Sequence, residues 1–299
     1  MRALTTEPAT TDHDPTRHLP AAGRPRHIVI RRRPSRVAGS DAARPLQLRR
    51  PRARAPRPPV PTIRVLGCLV VEPSPPGVEL RLRVRELLAL IVSHRAIGRD
   101  TAACLLWPDK ELAAARSNLR VTLSHLMRVV ERTGSNWISS RHGVLAIDTA
   151  RVRIDVDEFT AAEALGRQAE RTGHPADAVE HYGRALAWYG GEYLRGVDLD
   201  GMHYERLRLE AVAFDVAIAG ARAARAIGEP DRAVSFACAA LTIDPLGDAG
   251  AVELAAAVRA MGRLDAARAA LGRHADGLRC AGISPARFID AHVSQLRIA

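Results

Sequence analysis

The apolar positions at the front of the chain change their period as the chain proceeds. Alternating apolar residues around Gly67 predict a half-buried β-strand, and a second alternation runs through Val78, Leu80 and Leu82 after a proline-rich turn. From residue 84 the apolar spacing becomes helical, and Gly98 is expected to end this first helix. The helical stripe consists of Val84, Leu87, Leu88, Ile91 and Val92.

Two further helices follow. Asp100 or Thr101 can cap a short second helix, which the Trp107-Pro108 pair ends. A third helix is predicted over residues 110–132, with Gly134 as its C-terminal signal. Its buried stripe is expected to consist of Leu112, Ala115, Leu119, Leu123, Leu126 and Val130.

A β-hairpin is predicted after the third helix. Apolar segments at residues 137–138 and 144–147 flank the glycine-containing turn at residues 140–143. The order of strands, three helices and hairpin predicts one α+β module over residues 61–153.

Residues 154–299 show helical periodicity and an internal repeat. The repeat has the form Gly-x4-Ala-x3-Tyr/Ala/Leu, and its copies begin at Gly173, Gly228 and Gly262. The last two copies start 34 residues apart, which is the tetratricopeptide period, and the insertion GGEYLRGVDLDGMH lengthens the first. The pattern predicts an all-α stack of helix pairs with a concave surface, and such surfaces usually bind proteins.

Charge is distributed unevenly along the chain. Residues 1–60 contain 10 prolines and 14 arginines against four acidic residues, a net charge of +10, so we expect a disordered tail. This tail is either a basic arm that adds nonspecific affinity for nucleic acid, or the result of a start site placed too early, since Val60 precedes the first structured residues. The net charge is +6 over residues 61–153 and −5 over residues 154–299.

The residue inventory argues against several classes of protein. Lys110 is the only lysine and lies in no phosphate-binding or kinase motif, and the zinc-protease, hydrolase and dinucleotide-binding motifs do not occur. The four cysteines lack metal-ligand spacing, so we expect buried reduced thiols in a cytoplasmic protein. The acidic cluster Asp155, Asp157 and Glu158 is expected to cap a helix rather than to bind a metal. We therefore expect no enzyme activity, no cofactor, no catalytic or metal-binding residue and no membrane association.

The third helix carries a polar face opposite its apolar stripe. Ser117, Val121, Ser124 and Arg128 project outward, and Asn118, Arg120, His125 and Arg132 flank them. Asparagine and arginine can bond base edges in the major groove, and a valine can contact a thymine methyl group. A polar outward face is common to surface helices, so this pattern alone indicates DNA binding only weakly.

The front module resembles the winged helix-turn-helix of response-regulator-type DNA-binding domains. The resemblance lies in the run LLALIVSHRAIGRDTAACLLWPD, followed by ARSNLRVTLSHLMRVV and ISSRHGVLAI. It is most similar to the form found in the antibiotic regulatory protein (SARP) family of bacterial transcriptional activators. The back half resembles the tetratricopeptide-like bacterial transcriptional activator domain of the same family. The matching segments are DVDEF, YGGEYL, HYERLRLE, DPLGD, MGRLDAA and AGISP. By matching positions, this resemblance implies DNA contacts from Arg116, Ser117, Asn118, Arg120, Thr122, Ser124, His125 and Arg128, with Arg141 in the wing.

The resemblance also implies the fold class and the partners. The fold is expected to be mainly α: a disordered tail, a winged helix-turn-helix over residues 61–153 and a tetratricopeptide-like domain over residues 154–299. The implied function is a transcriptional activator that binds repeats in double-stranded promoter DNA as a homodimer, recruits RNA polymerase and controls an antibiotic gene cluster. The alternative is a ligand- or protein-sensing helical-repeat adaptor in which DNA binding is weak or accessory.

Overall fold

The structure is a computed structural model, and it describes residues 60–73 and 80–293. Apart from Val60, the tail expected over residues 1–60 lies outside these residues, and so does Val78 of the second alternation. The described residues are mainly helical, which confirms the predicted class.

The front part begins with a small sheet. Strands β1 (Thr62–Arg64) and β2 (Val70–Glu72) are antiparallel, with Ile63 opposite Val71. The prediction of one strand around Gly67 is therefore wrong, because the chain reverses there and Gly67 adopts a positive φ of 116°. Leu82 begins a helix instead of ending a second strand, and it is exposed.

Three helices follow as predicted, with different ends. Helix α1 (Leu82–His94) stops at Arg95, whose φ is 62°, and residues 96–98 form strand β3 (Ala96–Gly98). Gly98 therefore ends a strand and not the first helix, and it precedes helix α2 (Arg99–Leu106). Helix α3 (Leu112–Arg132) buries its predicted stripe except for Leu112, which is 38% exposed at the helix start.

The predicted hairpin is present after α3. Strands β4 (Ile138–Arg141) and β5 (Val144–Ile147) pair antiparallel, and β3 pairs with the other edge of β5. A final strand, β6 (Arg153–Ile154), returns to pair in parallel with β1. The hairpin therefore stands beside the three helices as the wing of a winged helix-turn-helix.

The back part stacks antiparallel helix pairs. The pairs are α4 (Asp155–Arg171) with α5 (Pro175–Trp188), α6 (Met202–Ala226) with α7 (Pro230–Ile243), and α8 (Asp248–Ala260) with α9 (Leu264–Cys280). A short helix α10 (Ala286–Phe288) and a π-helical turn (Ile289–Val293) follow. Gly173, Gly228 and Gly262, which mark the predicted repeat, form the tight turns between the two helices of each pair with φ near 75°. The predicted insertion is the loop between α5 and α6.

Two glycines allow an aromatic ring to lie directly on the partner helix. A Cβ atom on Gly166 of α4 would lie 2.5 Å from the Tyr182 ring of α5, and one on Gly220 of α6 would lie 2.5 Å from the Phe236 ring of α7. The same packing thus recurs in the first two pairs, where an aromatic side chain fills the space that a missing side chain leaves.

We expect Gly220→Ala to destabilise the fold by about 1–3 kcal/mol, because the added methyl group overlaps a buried ring that has little room to move. The control is Gly272→Ala in α9, where an added Cβ meets nothing within 4 Å. This control should stabilise the protein by about 0.5–1 kcal/mol, since alanine favours helix more than glycine does. Urea denaturation measures both changes, and equal effects of the two variants would contradict the packing argument.

The front and back parts are joined by backbone pairing as well as by apolar contacts. In the loop between α5 and α6, the Leu194 N–H donates to the Val65 carbonyl at 2.7 Å, and the Arg195 N–H donates to the Gly67 carbonyl at 2.9 Å. In return the Gly67 N–H donates to the Glu192 carbonyl at 3.0 Å. One cluster of buried apolar side chains extends from β1 through the winged helix into α8.

Asp155, the first residue of α4, lies buried in this junction. Its carboxylate accepts hydrogen bonds from the backbone N–H groups of Val65 and Leu66, each at 2.9 Å. Burial raises the pKa of Asp155 to about 6, although the hydrogen bonds from Val65, Leu66 and Val156 oppose the shift. The three acidic residues lie in the first turn of α4, as the capping prediction requires, but the N-cap position is Ile154. Asp155 accepts hydrogen bonds from the turn between β1 and β2. Asp157 forms an ion pair with Arg95, and Glu158 forms one with Arg153.

The four cysteines are also placed differently from the prediction. Cys68, Cys104, Cys238 and Cys280 are free, as expected, but all four are exposed. Each lies on an outward position of a turn or an amphipathic helix, where a small thiol causes no packing penalty. None of the helices over residues 60–73 and 80–293 combines the length and the apolarity that a membrane span requires.

Candidate nucleic-acid interface

The outward face of α3 is open to solvent. Ser117, Arg120, Ser124 and Arg128 are exposed, and Val121 in the middle of this face is 58% exposed. Asn118 and His125 are partly buried at its edges. The opposite side of α3 packs against α1 and α2 of its own module, so the helical half does not cover the polar face.

Thr122 departs from this arrangement. It is buried, and its hydroxyl donates to the Asn118 carbonyl one turn earlier at 3.0 Å. Its position is consistent with the helical period, because Thr122 lies three residues after the buried Leu119 and four before the buried Leu126. The structure therefore places Thr122 in the core and not on the face that could contact a duplex.

Arg116 is exposed but already engaged. Its guanidinium makes two hydrogen bonds to the Asp100 carboxylate of α2, at 2.7 and 2.5 Å. These hydrogen bonds hold the pKa of Asp100 below its usual value and raise the pKa of Arg116. The bidentate contact links α2 to α3 and so helps to set the angle between the two helices of the helix-turn-helix.

The wing is anchored next to the start of α2. Its tight turn uses left-handed conformations at His142 and Gly143, with φ of 48° and 75°. The Arg99 N–H donates to the Gly143 carbonyl at 2.8 Å, which holds the tip of the hairpin against the helices. Arg141, the predicted wing contact, is exposed beside this turn.

A buried tryptophan supports the base of the wing. The Trp137 ring is fully buried, and its indole N–H donates to the Thr133 hydroxyl at 3.0 Å. The Trp137 carbonyl accepts the Asp148 N–H at 2.8 Å from the chain that leaves β5. The wing is thereby fixed to the C-terminal end of α3 at its base and to the start of α2 at its tip.

A groove of about 340 Å³ lies between α3 and the wing tip. Its lining includes Arg99, Arg116 and Arg120 together with Gly98, Asp100, Leu119 and Gly143. Arg99 was not among the DNA-contact residues predicted from the sequence. Its position directly after Gly98, at the start of α2, is the sequence feature that could have indicated such a role. Within the described ranges, Arg120, Arg128 and Arg141 have no side-chain hydrogen bond or ion pair, so their charges are available to a ligand.

The described part of the chain contains no group of three or more histidine, cysteine, aspartate or glutamate side chains arranged to hold a metal ion. The front part offers instead an exposed polar helix face, an arginine-lined groove beside it and an arginine-bearing hairpin. These are the groups that bond phosphates and base edges.

The helical half matches a known family. Residues 154–297 match the family described as bacterial transcriptional activator domain. The match covers the helical half of the chain, which therefore carries this activator domain. The predicted resemblance of the helical half to the bacterial transcriptional activator domain is thereby confirmed, and a search of curated proteins finds no significant match.

A solved structure shares the fold of this chain. EmbR of Mycobacterium tuberculosis, solved in complex with a low-affinity phosphopeptide, is 20% identical and superimposes with a TM-score of 0.61 over 79% of this chain. The match covers 65% of EmbR, so this chain spans about two thirds of that protein. The C-terminal TPR-containing domain of an FK506-binding protein from Plasmodium falciparum is 17% identical, with a TM-score of 0.34 over 41% of this chain and 78% of its own length. The likeness to EmbR shows that the arrangement of both halves is an established fold.

Proposed function

We propose that this regulator binds double-stranded promoter DNA in a sequence-specific manner, with α3 in the major groove and the wing on an adjacent groove or phosphate. The observation that carries the proposal is the open face of α3 beside an anchored wing. Ser117, Asn118, Val121 and Ser124 would face bases, with Arg120, His125 and Arg128 reading bases or contacting phosphates. Arg99 and Arg141 would contact the backbone. Arg116 would position α2 through Asp100, and Thr122 would have no direct contact.

The domain division and the partners belong to the same proposal. Residues 61–153 would form the DNA-binding domain and residues 154–299 the activator domain. The chain would bind repeats as a homodimer, recruit RNA polymerase and act in the cytoplasm, and it would control a specialised-metabolite (antibiotic) gene cluster. The match of residues 154–297 to the bacterial transcriptional activator domain supports the regulatory role.

A second candidate function is a sensing adaptor. A groove of about 640 Å³ lies between α4 and α6, and its lining carries three acidic residues and three arginines around Tyr182. Such a groove could accept a peptide, in which case DNA binding would be accessory.

Selection of binding sites from random-sequence duplexes, followed by a genome-wide footprint, tests the proposal. We expect a shared sequence element in duplicate copies upstream of genes. If four arginines each neutralise one phosphate, affinity should fall about 100-fold between 50 and 200 mM salt. Retention of DNA without any enriched sequence would contradict specific recognition, and absence of binding at low salt would favour the adaptor.

A further inference from the structure

A second cavity in the helical half has a different chemical character from the groove between α4 and α6. It has a volume of about 450 Å³ and lies between the end of α5, the segment that follows it, α6 and α7. Its apolar walls include Leu186, Ala239 and Ile243, and its polar groups include Tyr189, Glu192 and Glu210. None of the described residues that line it is an arginine or a lysine.

The two carboxylates of this cavity differ in their partners. Among the described residues, the Glu210 side chain has no hydrogen-bond or ion-pair partner. The Glu192 carboxylate lies 3.5 Å from the Arg206 guanidinium. That guanidinium already donates to the carbonyl oxygens of three loop residues, Tyr193, Leu194 and Val197. The cavity therefore has one carboxylate without a partner among the described residues, Glu210, and a second, Glu192, in a 3.5 Å ion pair.

The pKa of the Tyr189 hydroxyl is affected by the same two carboxylates. Burial, together with the carboxylates of Glu210 and Glu192, raises the pKa of Tyr189 to about 12. The hydroxyl thus stays protonated at neutral pH, and its oxygen can accept a hydrogen bond from a cationic donor.

We propose that this cavity binds a small molecule that carries a protonated amine on an apolar body. The ammonium group would lie between Glu192 and Glu210 near the Tyr189 hydroxyl, and the apolar body would lie against Leu186, Ala239 and Ile243. A small pocket with apolar walls and a few convergent polar groups is the usual form of a small-molecule site. An anionic ligand would be repelled, because the cavity offers it no basic side chain.

The cavity shares its wall with the junction between the two parts of the chain. Gly190 lines the cavity, and a Cβ atom there would lie 2.6 Å from the Leu66 carbonyl oxygen of the front part. The backbone of Glu192 bonds Gly67, as described above. A bound amine would therefore contact the segment that docks the helical half onto the winged helix. The inference does not depend on DNA binding.

Dansylcadaverine, a fluorescent primary amine, tests the proposal on the full chain, with its N-acetyl derivative as the uncharged control. We expect dansylcadaverine to bind with a blue-shifted emission and the acetylated probe to bind at least 10-fold more weakly. Glu210→Gln should weaken the amine at least 5-fold, and Thr242→Trp, which fills the cavity from an exposed lining position, should abolish binding. Asp177→Asn, an exposed acidic residue on α5 outside the lining, should leave binding unchanged.

Circular dichroism confirms that each variant is folded. Absence of saturable dansylcadaverine binding at millimolar concentration overturns the proposal. So does equal binding of the two probes, or binding that Glu210→Gln and Thr242→Trp leave intact.

Discussion

Asp155→Ala is expected to lower the free energy of unfolding by about 2–5 kcal/mol. The Asp155 side chain has no exposed surface, and its loss leaves the backbone N–H groups of Val65 and Leu66 buried without an acceptor. Each unsatisfied group costs about 1–3 kcal/mol, and the small alanine side chain also leaves a gap in the junction. Chemical denaturation at pH 7 measures the change. Asp157→Ala is the control, because Asp157 makes a partly exposed ion pair with Arg95 that contributes about 0–1 kcal/mol.

The pH dependence of this loss distinguishes a buried carboxylate from an ordinary packing residue. The folded-state pKa of Asp155 is raised to about 6, above its value near 3.9 in the unfolded chain, so the folded form binds the proton more tightly. The contribution of the protonated acid is complete below about pH 4 and is lost as the pH rises through 6. The stability difference between the wild type and Asp155→Ala should therefore be larger at pH 4 than at pH 7, by about 2–3 kcal/mol. A difference that shrinks on acidification would contradict this account of the junction.

Arg120→Ala is expected to reduce affinity for a selected duplex by about 1–3 kcal/mol, or roughly 5- to 150-fold, if Arg120 reads a base. Arg120 is exposed on α3 and lines the groove beside the wing tip. Its effect on a random duplex should be smaller, since only the phosphate attraction is lost there. Fluorescence anisotropy with selected and random duplexes measures both affinities.

The matched control is Arg184→Ala, which removes the same charge from an exposed position on α5. Equal losses on selected and random DNA would assign Arg120 to the phosphates instead of the bases. A loss on neither duplex would remove Arg120 from the proposed interface.

Features set by a local repeating pattern could be predicted from the sequence. The stripe of α3 follows the helical period because one side of that helix packs against its own module, and the wing follows from a glycine turn between two apolar segments. The stripe of α1 is also buried, but that helix buries every residue from Glu86 to Val92. The turns at Gly173, Gly228 and Gly262 follow from the same kind of evidence, since each requires a left-handed residue after a helix.

Features set by contacts between distant residues could not be predicted in this way. Asp155 has the sequence position of a helix cap, but its partners are 90 and 89 residues earlier in the chain. Arg116 has the position of a DNA contact, and only the placement of Asp100, 16 residues away, shows that it is engaged. The burial of Thr122 could have been predicted from the helical period, because Thr122 lies on the same buried stripe as Leu119 and Leu126.

Backbone pairing and a shared core join the winged helix to the helical stack at the junction. The orientation of α3 relative to the helical stack is thus set by the contacts of this junction. If the proposed binding to promoter repeats holds, two copies would have to match the pitch of the duplex, about 10–10.5 base pairs per turn. An insertion of half a turn between the repeats would put the copies on opposite sides of the double helix.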